Sequence, residues 1–86
     1  MSQSPSMRPG SEAKQLLQCV PGVRAVAIQK VRGGEVLILS TERDGSRRSA
    51  EIECRGGLVN DRRAVSVVAG LMGSAAAATY SRLVGL

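Results

Sequence analysis

The stretch EVLILSTERDGSRRSAEIECR, residues 35–55, decides the fold of this chain. Two runs with strand character, 35–42 and 47–55, flank the dipeptide Asp44-Gly45. This dipeptide favours a two-residue turn between antiparallel strands, because both of its residues tolerate a positive φ. The stretch therefore predicts a β-hairpin.

The register of this hairpin follows from the turn. A two-residue loop places Leu39 opposite Ala50 and Leu37 opposite Ile52, so that these four apolar side chains share one face. A slip of one residue would move them to opposite faces. The agreement between turn and pattern favours this register.

A third strand, VRAVAIQKV at 23–31, precedes the hairpin, and Gly33-Gly34 predicts the turn between them. With these two glycines as the loop, Arg32 pairs with Glu35 and Ile28 lies opposite Leu39. One face of the resulting meander is the expected core and gathers Val26, Ile28, Leu37, Leu39, Ala50 and Ile52. The other face is mostly solvated, with Val36 and Ile38 as a small apolar patch on the middle strand.

Helical patterns lie on both sides of the meander. Ser11 is the expected N-cap of a first helix, whose apolar face is formed by Ala13, Leu16, Leu17 and Val20 and which ends at Pro21-Gly22. After Gly56-Gly57, Asn60 or Asp61 is expected to cap one long helix from about Arg62 to Leu83. Residues 1–10 are expected to form a flexible tail, and residues 11–86 a single α+β domain of helix, three-stranded antiparallel meander and long C-terminal helix, αβββα.

The length and composition limit the core. The chain has 86 residues with no Phe, no Trp and one Tyr, so small aliphatic side chains must do the packing. A short chain buries a small share of its surface, and oligomerisation is a common remedy. Self-association is therefore expected.

The charge is basic, with 12 Lys and Arg against 7 Asp and Glu and a formal net charge of +5. Such a balance favours anionic partners, although scattered arginines also serve simply to solvate a surface. The residues that could bind an anion are Arg47, Arg48, Arg55, Arg62 and Arg63. Arg62 and Arg63 stand at the start of a helix, where the helix dipole disfavours cations, so ion pairing with Glu51, Glu53 or a partner's acids is expected.

No residue pattern indicates catalysis, a metal or a cofactor. The chain has no histidine, and its two cysteines, Cys19 and Cys54, lack metal-ligand spacing and an activating base. The segments RGGE and RGGL lack the ending that a phosphate-binding loop requires. We expect a protein that is not an enzyme, with both thiols buried and free. The N-terminal residues lack the apolar core of a signal peptide, which makes the cytoplasm the expected location.

Residues 64–81 carry no charge. Their many small and hydroxyl side chains make a membrane span unexpected despite the length. At helical spacing an apolar stripe (Val65, Val68, Leu71, Met72, Ala75, Ala76, Leu83) lies opposite a face of small residues. A solvent-facing helix normally carries charged side chains there, and small side chains allow close approach of another backbone. The expected partner interface comprises Ser66, Gly70, Gly73, Ser74, Ala77 and Ser81, together with Val36 and Ile38; an idle alanine-rich face is the alternative.

Three segments of the chain resemble the Roadblock family of small α/β modules. LLQCVPGVRAVAI (16–28) is similar to the family's first helix and first strand, GEVLILST (34–41) to its second strand, and residues 54–83 to its long helix rich in small residues. The segment ERDGSRRSAEIE would be an additional hairpin arm, and the family's last strands and helix are missing. The resemblance implies dimerisation through helix and strand edge and a scaffold or regulatory role with small GTPases or motors. It implies no catalytic residues.

Two functions are consistent with these patterns. The first is a non-catalytic protein-interaction module, an adaptor, assembly or regulatory subunit, that acts as a homodimer or within a larger complex. The alternative is a basic nucleic-acid-binding domain, since helix, three strands and helix is also the order of the double-stranded-RNA-binding domain. Against the alternative, only Arg62 and Arg63 stand at the start of the last helix, and no aromatic side chains are available to stack on bases.

Overall fold

The computed structural model describes residues 6–86, apart from the side chain of Arg43. The elements in chain order are β1 (Met7–Pro9), α1 (Gly10–Gln18), β2 (Val23–Val31), β3 (Gly34–Arg43), β4 (Ser46–Cys54), β5 (Leu58–Asn60), α2 (Asp61–Met72) and α3 (Ser74–Leu83). Strands β2, β3 and β4 form a three-stranded antiparallel sheet in that order, and β1 pairs with β5 in a second, two-stranded sheet. The predicted α+β architecture of helix, meander and C-terminal helical region is confirmed.

The hairpin of β3 and β4 has the predicted register. Leu39 pairs with Ala50 and Leu37 with Ile52. At the turn, Asp44 has φ 53° and Gly45 has φ 77°, which are the two positive values that this kind of turn needs.

The hairpin of β2 and β3 differs from the prediction by two residues. Ile28 lies opposite Leu37 rather than Leu39, and Val31 rather than Arg32 closes the turn, opposite Gly34. The loop therefore consists of Arg32 and Gly33, and Gly34 is already in the strand. Since the error is an even number of residues, the residues of each face are still assigned correctly.

The core lies between the inner face of the three-stranded sheet and the helices. Leu37, Leu39 and Ile52 are fully buried there, and they join one cluster with residues of α1, α2 and α3. Val26 is also in this cluster, but Ile28, one pleat further along β2, is 38% exposed. The prediction that Ile28 belongs to the core is wrong, because this residue lies on the edge strand β2, outside the buried cluster.

The first ten residues are only partly as predicted, and residues 1–5 lie outside the described residues. Met7–Pro9 pair with Leu58–Asn60, so this part of the expected flexible tail is a strand. Helix α1 begins at Gly10, and Pro9 precedes it without a side-chain cap, so Ser11 is not the N-cap. The backbone N–H of Gly10 instead donates to the carbonyl of Gly57 over 3.0 Å.

The expected single C-terminal helix is two helices. Gly73 has φ 97° and ψ 175°, a conformation open mainly to glycine, and it separates α2 from α3. As a result, α2 contacts β4 while α3 contacts α1. Within residues 6–86, no helix is long and apolar enough to cross a membrane.

Candidate functional site

The outer face of the three-stranded sheet carries an apolar patch. The members of this outer apolar patch are Ala25, Ala27, Val31, Val36 and Ile38, which alternate with the core residues along β2 and β3. Val31 is 43% exposed, and Val36 and Ile38 are half-buried by their neighbours within the sheet. The buried residues of the helices pack with the inner-face side chains, so the patch has no helical layer over it.

Strand β2 forms an edge of this sheet. It pairs with β3 on one side, and among residues 6–86 no strand pairs with its other side. Of the two cations of β2, Arg24 binds Glu42 of β3, and Lys30 lies opposite Glu35 in the register without an ion pair among the described residues. The outer apolar patch therefore continues to a free strand edge of nine residues.

The expected interface residues of the C-terminal region do not form one face. Ser66, Gly70, Gly73 and Ser74 are exposed, as expected. Ala77, however, is 6% exposed and belongs to the chain's own core, so its assignment to a partner interface is wrong. The break at Gly73 changes the direction of the helix and with it the side to which the later residues point.

Ser81, the last of these residues, makes a local contact: its hydroxyl donates to the carbonyl of Leu86 over 3.3 Å. The apolar stripe is also interrupted, since Leu83 is 41% exposed.

A groove of about 730 Å³ lies where α2 meets α3. Its walls are the turn at Pro21-Gly22, the ends of β3 and β4, and the residues on both sides of Gly73. The apolar part is formed by Ala69, Leu71, Met72, Ala75 and Ala76, and the polar part includes Thr41, Glu42, Arg48 and Thr79. Gly70 and Gly73, two of the expected interface residues, line this groove.

The five arginines singled out from the sequence fall into two groups. Arg55 and Arg63 both bind Glu53, with N–O distances of 3.4 and 3.3 Å, which confirms the expected pairing of Arg63 with Glu53, and Arg62 is exposed beside them. Arg47 and Arg48 lie at the other end of β4 near Arg24. From the rise of a strand, the two ends are separated by about 25 Å. The arginines do not form a single basic patch, and nucleic-acid binding stays a prediction.

A buried polar cluster that the sequence did not predict joins the two ends of the chain. The carboxylate of Asp61, which is 0% exposed, accepts two hydrogen bonds from Arg8: from Nε at 2.7 Å and from Nη2 at 3.0 Å. Ser6 donates its hydroxyl to the same carboxylate, and Arg8 also reaches the carbonyl of Val84 at 3.3 Å. The hydrogen bond to Asp61 raises the pKa of the Arg8 guanidinium, with the charge of Asp61 adding to it.

Tyr80 lies beside this cluster and is fully buried. Its hydroxyl has no hydrogen-bond partner among the described residues. Burial first, and then the charge of Asp61, raise the pKa of Tyr80 to about 12. Arg8 and Asp61 are 53 positions apart, and no local sequence signal relates residues at such a distance.

Neither thiol is part of a catalytic arrangement in the described part of the chain. Cys54 is buried as expected, which raises the pKa of its thiol. The expectation that Cys19 is buried is wrong, because this residue caps the carboxyl end of α1 and is exposed there. Across residues 6–86, no group of three or more His, Cys, Asp or Glu side chains could hold a metal ion. The absence of enzymatic activity stays a prediction.

No protein-family model, no curated protein and no solved structure matches this chain. The resemblance to the Roadblock family therefore stays a prediction.

Proposed function

We propose that this chain is a small non-catalytic protein-interaction module that self-associates, with the outer apolar patch of one copy covered by that of a second. The observation that supports the proposal is the uncovered outer face of the three-stranded sheet, where Val36 and Ile38 follow each other on β3 and Val31 lies at the end of the neighbouring β2. Apolar patches on the surface of small proteins often mark contacts with other proteins.

The composition of the chain supports a second copy as the partner. The buried cluster contains one aromatic side chain, Tyr80, and otherwise small and aliphatic residues. Such a core stabilises a short chain only modestly, and burial of a further apolar surface between identical copies adds to it. A two-fold arrangement uses the same surface on both copies and is the most common form of oligomer.

The free edge of β2 supports the same surface. An unpaired edge presents backbone N–H and C=O groups that can pair with another strand. At one end of this edge Arg24 is bound by Glu42, so its charge is neutralised and does not keep another strand away. We place this function in the reducing cytoplasm, which the two free thiols, Cys19 and Cys54, support.

The test is the mass of the protein in solution and its change in surface variants. We expect the mass of two chains by sedimentation equilibrium, and the mass of one chain for Ile38→Glu and for Val31→Glu. Each variant places a carboxylate on the outer apolar patch, where it would be buried without a partner. Val31 is the more exposed of the two, so its variant keeps the fold if Ile38→Glu disturbs it.

Ser66→Glu is the matched control, because Ser66 is exposed on α2 and is another of the residues expected at an interface. We expect it to leave the dimer intact. Dissociation by Ser66→Glu alone would move the interface to α2, and a single-chain mass for the unchanged protein at high concentration would contradict the proposal.

A further inference from the structure

The groove between α2 and α3 combines apolar walls with polar groups that lack partners. Its volume of about 730 Å³ is within the range of small-molecule sites. Ala69, Leu71 and Met72 form its apolar side, and Thr41 and Arg48 lie on the sheet side. This combination is typical of sites that take an apolar body and fix one polar end.

Thr41 is the first group in the groove without a partner. It is 7% exposed, and its hydroxyl makes no hydrogen bond with any residue of the described chain. The side chain lies on the inner face, in the same register as Leu37 and Leu39. A hydroxyl without a partner in the protein can donate a hydrogen bond to an oxygen atom bound in the groove.

The amino terminus of α3 is the second such group. Gly73 precedes the helix and offers no side-chain cap, and the first turn contains no acidic residue. The first backbone N–H groups of a helix have no partner within it and carry a partial positive charge. Gly73, Ala75 and Ala76 line the groove, so this terminus belongs to its wall.

The charge of the groove favours an anion. Arg48 forms no ion pair with any carboxylate of the described residues, whereas Glu42, the acidic residue of the groove, is bound by Arg24. The other polar side chain, Thr79, satisfies its hydroxyl by donating to the carbonyl of Ala75. The unsatisfied groups are therefore a cation, a hydroxyl and helix N–H groups.

We propose that this groove binds a small organic monocarboxylate with an apolar chain, whose carboxylate lies between Arg48, Thr41 and the amino terminus of α3. The chain of the ligand lies along Ala69, Leu71 and Met72. This proposal goes beyond self-association, since the outer apolar patch is on the opposite face of the sheet. It also gives a reason for the small residues of this region: Gly70 and Gly73 have no side chain and Ala76 has only a methyl group, which leaves the groove open.

Octanoate is the probe, titrated into the protein by calorimetry and by backbone amide NMR. We expect saturable binding, with shifts at Thr41, Gly73 and Ala75. Three matched ligands separate the contributions: octylamine and octanol keep the chain and change the head group, and acetate keeps the head group and removes the chain. Each is expected to bind at least about tenfold more weakly than octanoate.

Variants test the residues. Arg48→Leu is expected to weaken octanoate binding at least about tenfold, and Thr41→Val about threefold or more. Gly70→Leu fills the groove and should abolish binding; its added side chain meets open space and a helix favours leucine over glycine, so this variant folds. Arg47→Leu and Ser66→Leu are the controls and should bind as the unchanged protein does.

Three results would overturn the proposal. Octanol binding as tightly as octanoate would show that the carboxylate is not recognised. Shifts confined to Val36 and Ile38 would place the ligand on the outer apolar patch. Unchanged affinity in both Arg48→Leu and Gly70→Leu would exclude the groove. None of these results depends on whether the protein is a dimer, because the Ile38→Glu variant can be titrated in the same way.

Discussion

The amino termini of α2 and α3 lie in different electrostatic surroundings. At α2, Asn60 caps the helix by accepting a hydrogen bond from the backbone N–H of Arg63 at 3.1 Å. Asp61 follows with a carboxylate that accepts hydrogen bonds from Arg8 and Ser6. At α3, Gly73 provides no cap, and the nearby Thr41 and Arg48 have no partners among the described residues. Both termini have the same unsatisfied backbone groups.

The comparison of the two helix termini separates polar groups that bind each other within the fold from polar groups that are free to bind a ligand. The cluster around Asp61 is buried and connected, and it ties β1 to α2 and to the carbonyl of Val84. The groove at α3 is open, and two of its polar side chains, Thr41 and Arg48, have no partner among the described residues. A connected cluster such as the one around Asp61 contributes to the stability of the fold. Polar groups without partners, such as those of the groove, can contribute to function without contributing to stability.

The largest expected effect on stability comes from Asp61. Asp61→Asn removes the buried charge that Arg8 binds and leaves the guanidinium, whose side chain is 16% exposed, with only the exposed Glu12 as a counter-ion. Breaking a buried ion pair on one side destabilises a fold by about 3 kcal/mol. Urea unfolding followed by circular dichroism measures the loss.

Glu12→Gln is the control for this prediction. Glu12 also pairs with Arg8, at 3.3 Å, but its side chain is 54% exposed. An exposed pair contributes less than about 1 kcal/mol. Equal losses for the two variants would contradict the distinction between the buried cluster and its exposed surroundings.

Alkaline pH should weaken the same region through Tyr80. Its pKa is raised to about 12 in the folded protein, against about 10 in an unfolded chain. Below pH 10 the phenol is neutral in both the folded and the unfolded state, and the protein has its full stability. As the pH rises from 10 through 12, the unfolded chain loses the phenol proton first, and the free energy of unfolding falls by roughly 2 kcal/mol. Tyr80 is the only aromatic residue, so the ultraviolet absorbance of tyrosinate follows its titration directly.

Tyr80→Phe separates this effect from other alkaline changes. The variant keeps the ring and removes a hydroxyl that has no partner among the described residues, so it should be at least as stable at neutral pH. It should also lose part of the sensitivity between pH 10 and 12. A tyrosine that titrates near 10 in the folded protein would show that the cluster around Asp61 is open to water.

The smallest effects are expected at the two glycines of the groove, and they have opposite signs. Gly73→Ala should destabilise the protein by about 1 kcal/mol, because φ 97° is strained for any side chain. Gly70→Ala, inside α2 with open space around it, should stabilise it by up to about 1 kcal/mol. Thermal unfolding of both variants measures the difference, and a stabilising Gly73→Ala would mean that α2 and α3 can join into one helix.

The sequence predicted the sheet better than its connections. Asp44-Gly45 allows one tight turn, and the register of β3 and β4 followed from it. Around Gly33-Gly34 more than one loop is compatible with the sequence, and the predicted register of β2 and β3 was wrong by two residues. The alternation of apolar residues still assigned the two faces, because it repeats every two residues.

The candidate sites were predicted less well. Val36 and Ile38 were found from alternation alone, since an apolar residue on a solvated face departs from the pattern. The groove was not found, because helical spacing extrapolated through Gly73 treats α2 and α3 as one rod. The geometry of one backbone position therefore decided which small residues face outward, which line a groove and which, like Ala77, enter the core.

The sequence by itself determined the order of the first helix, the three strands of the meander and the C-terminal helical region, and the two faces of the sheet, since these depend on turn residues and on periodicities within a few positions. Only the tertiary structure decided the pairing of β1 with β5, the cluster of Arg8 and Asp61, and the place of Tyr80 beside it. Arg8 and Asp61 are 53 positions apart, and such distant residues meet because the packed core brings the two ends of the described chain together.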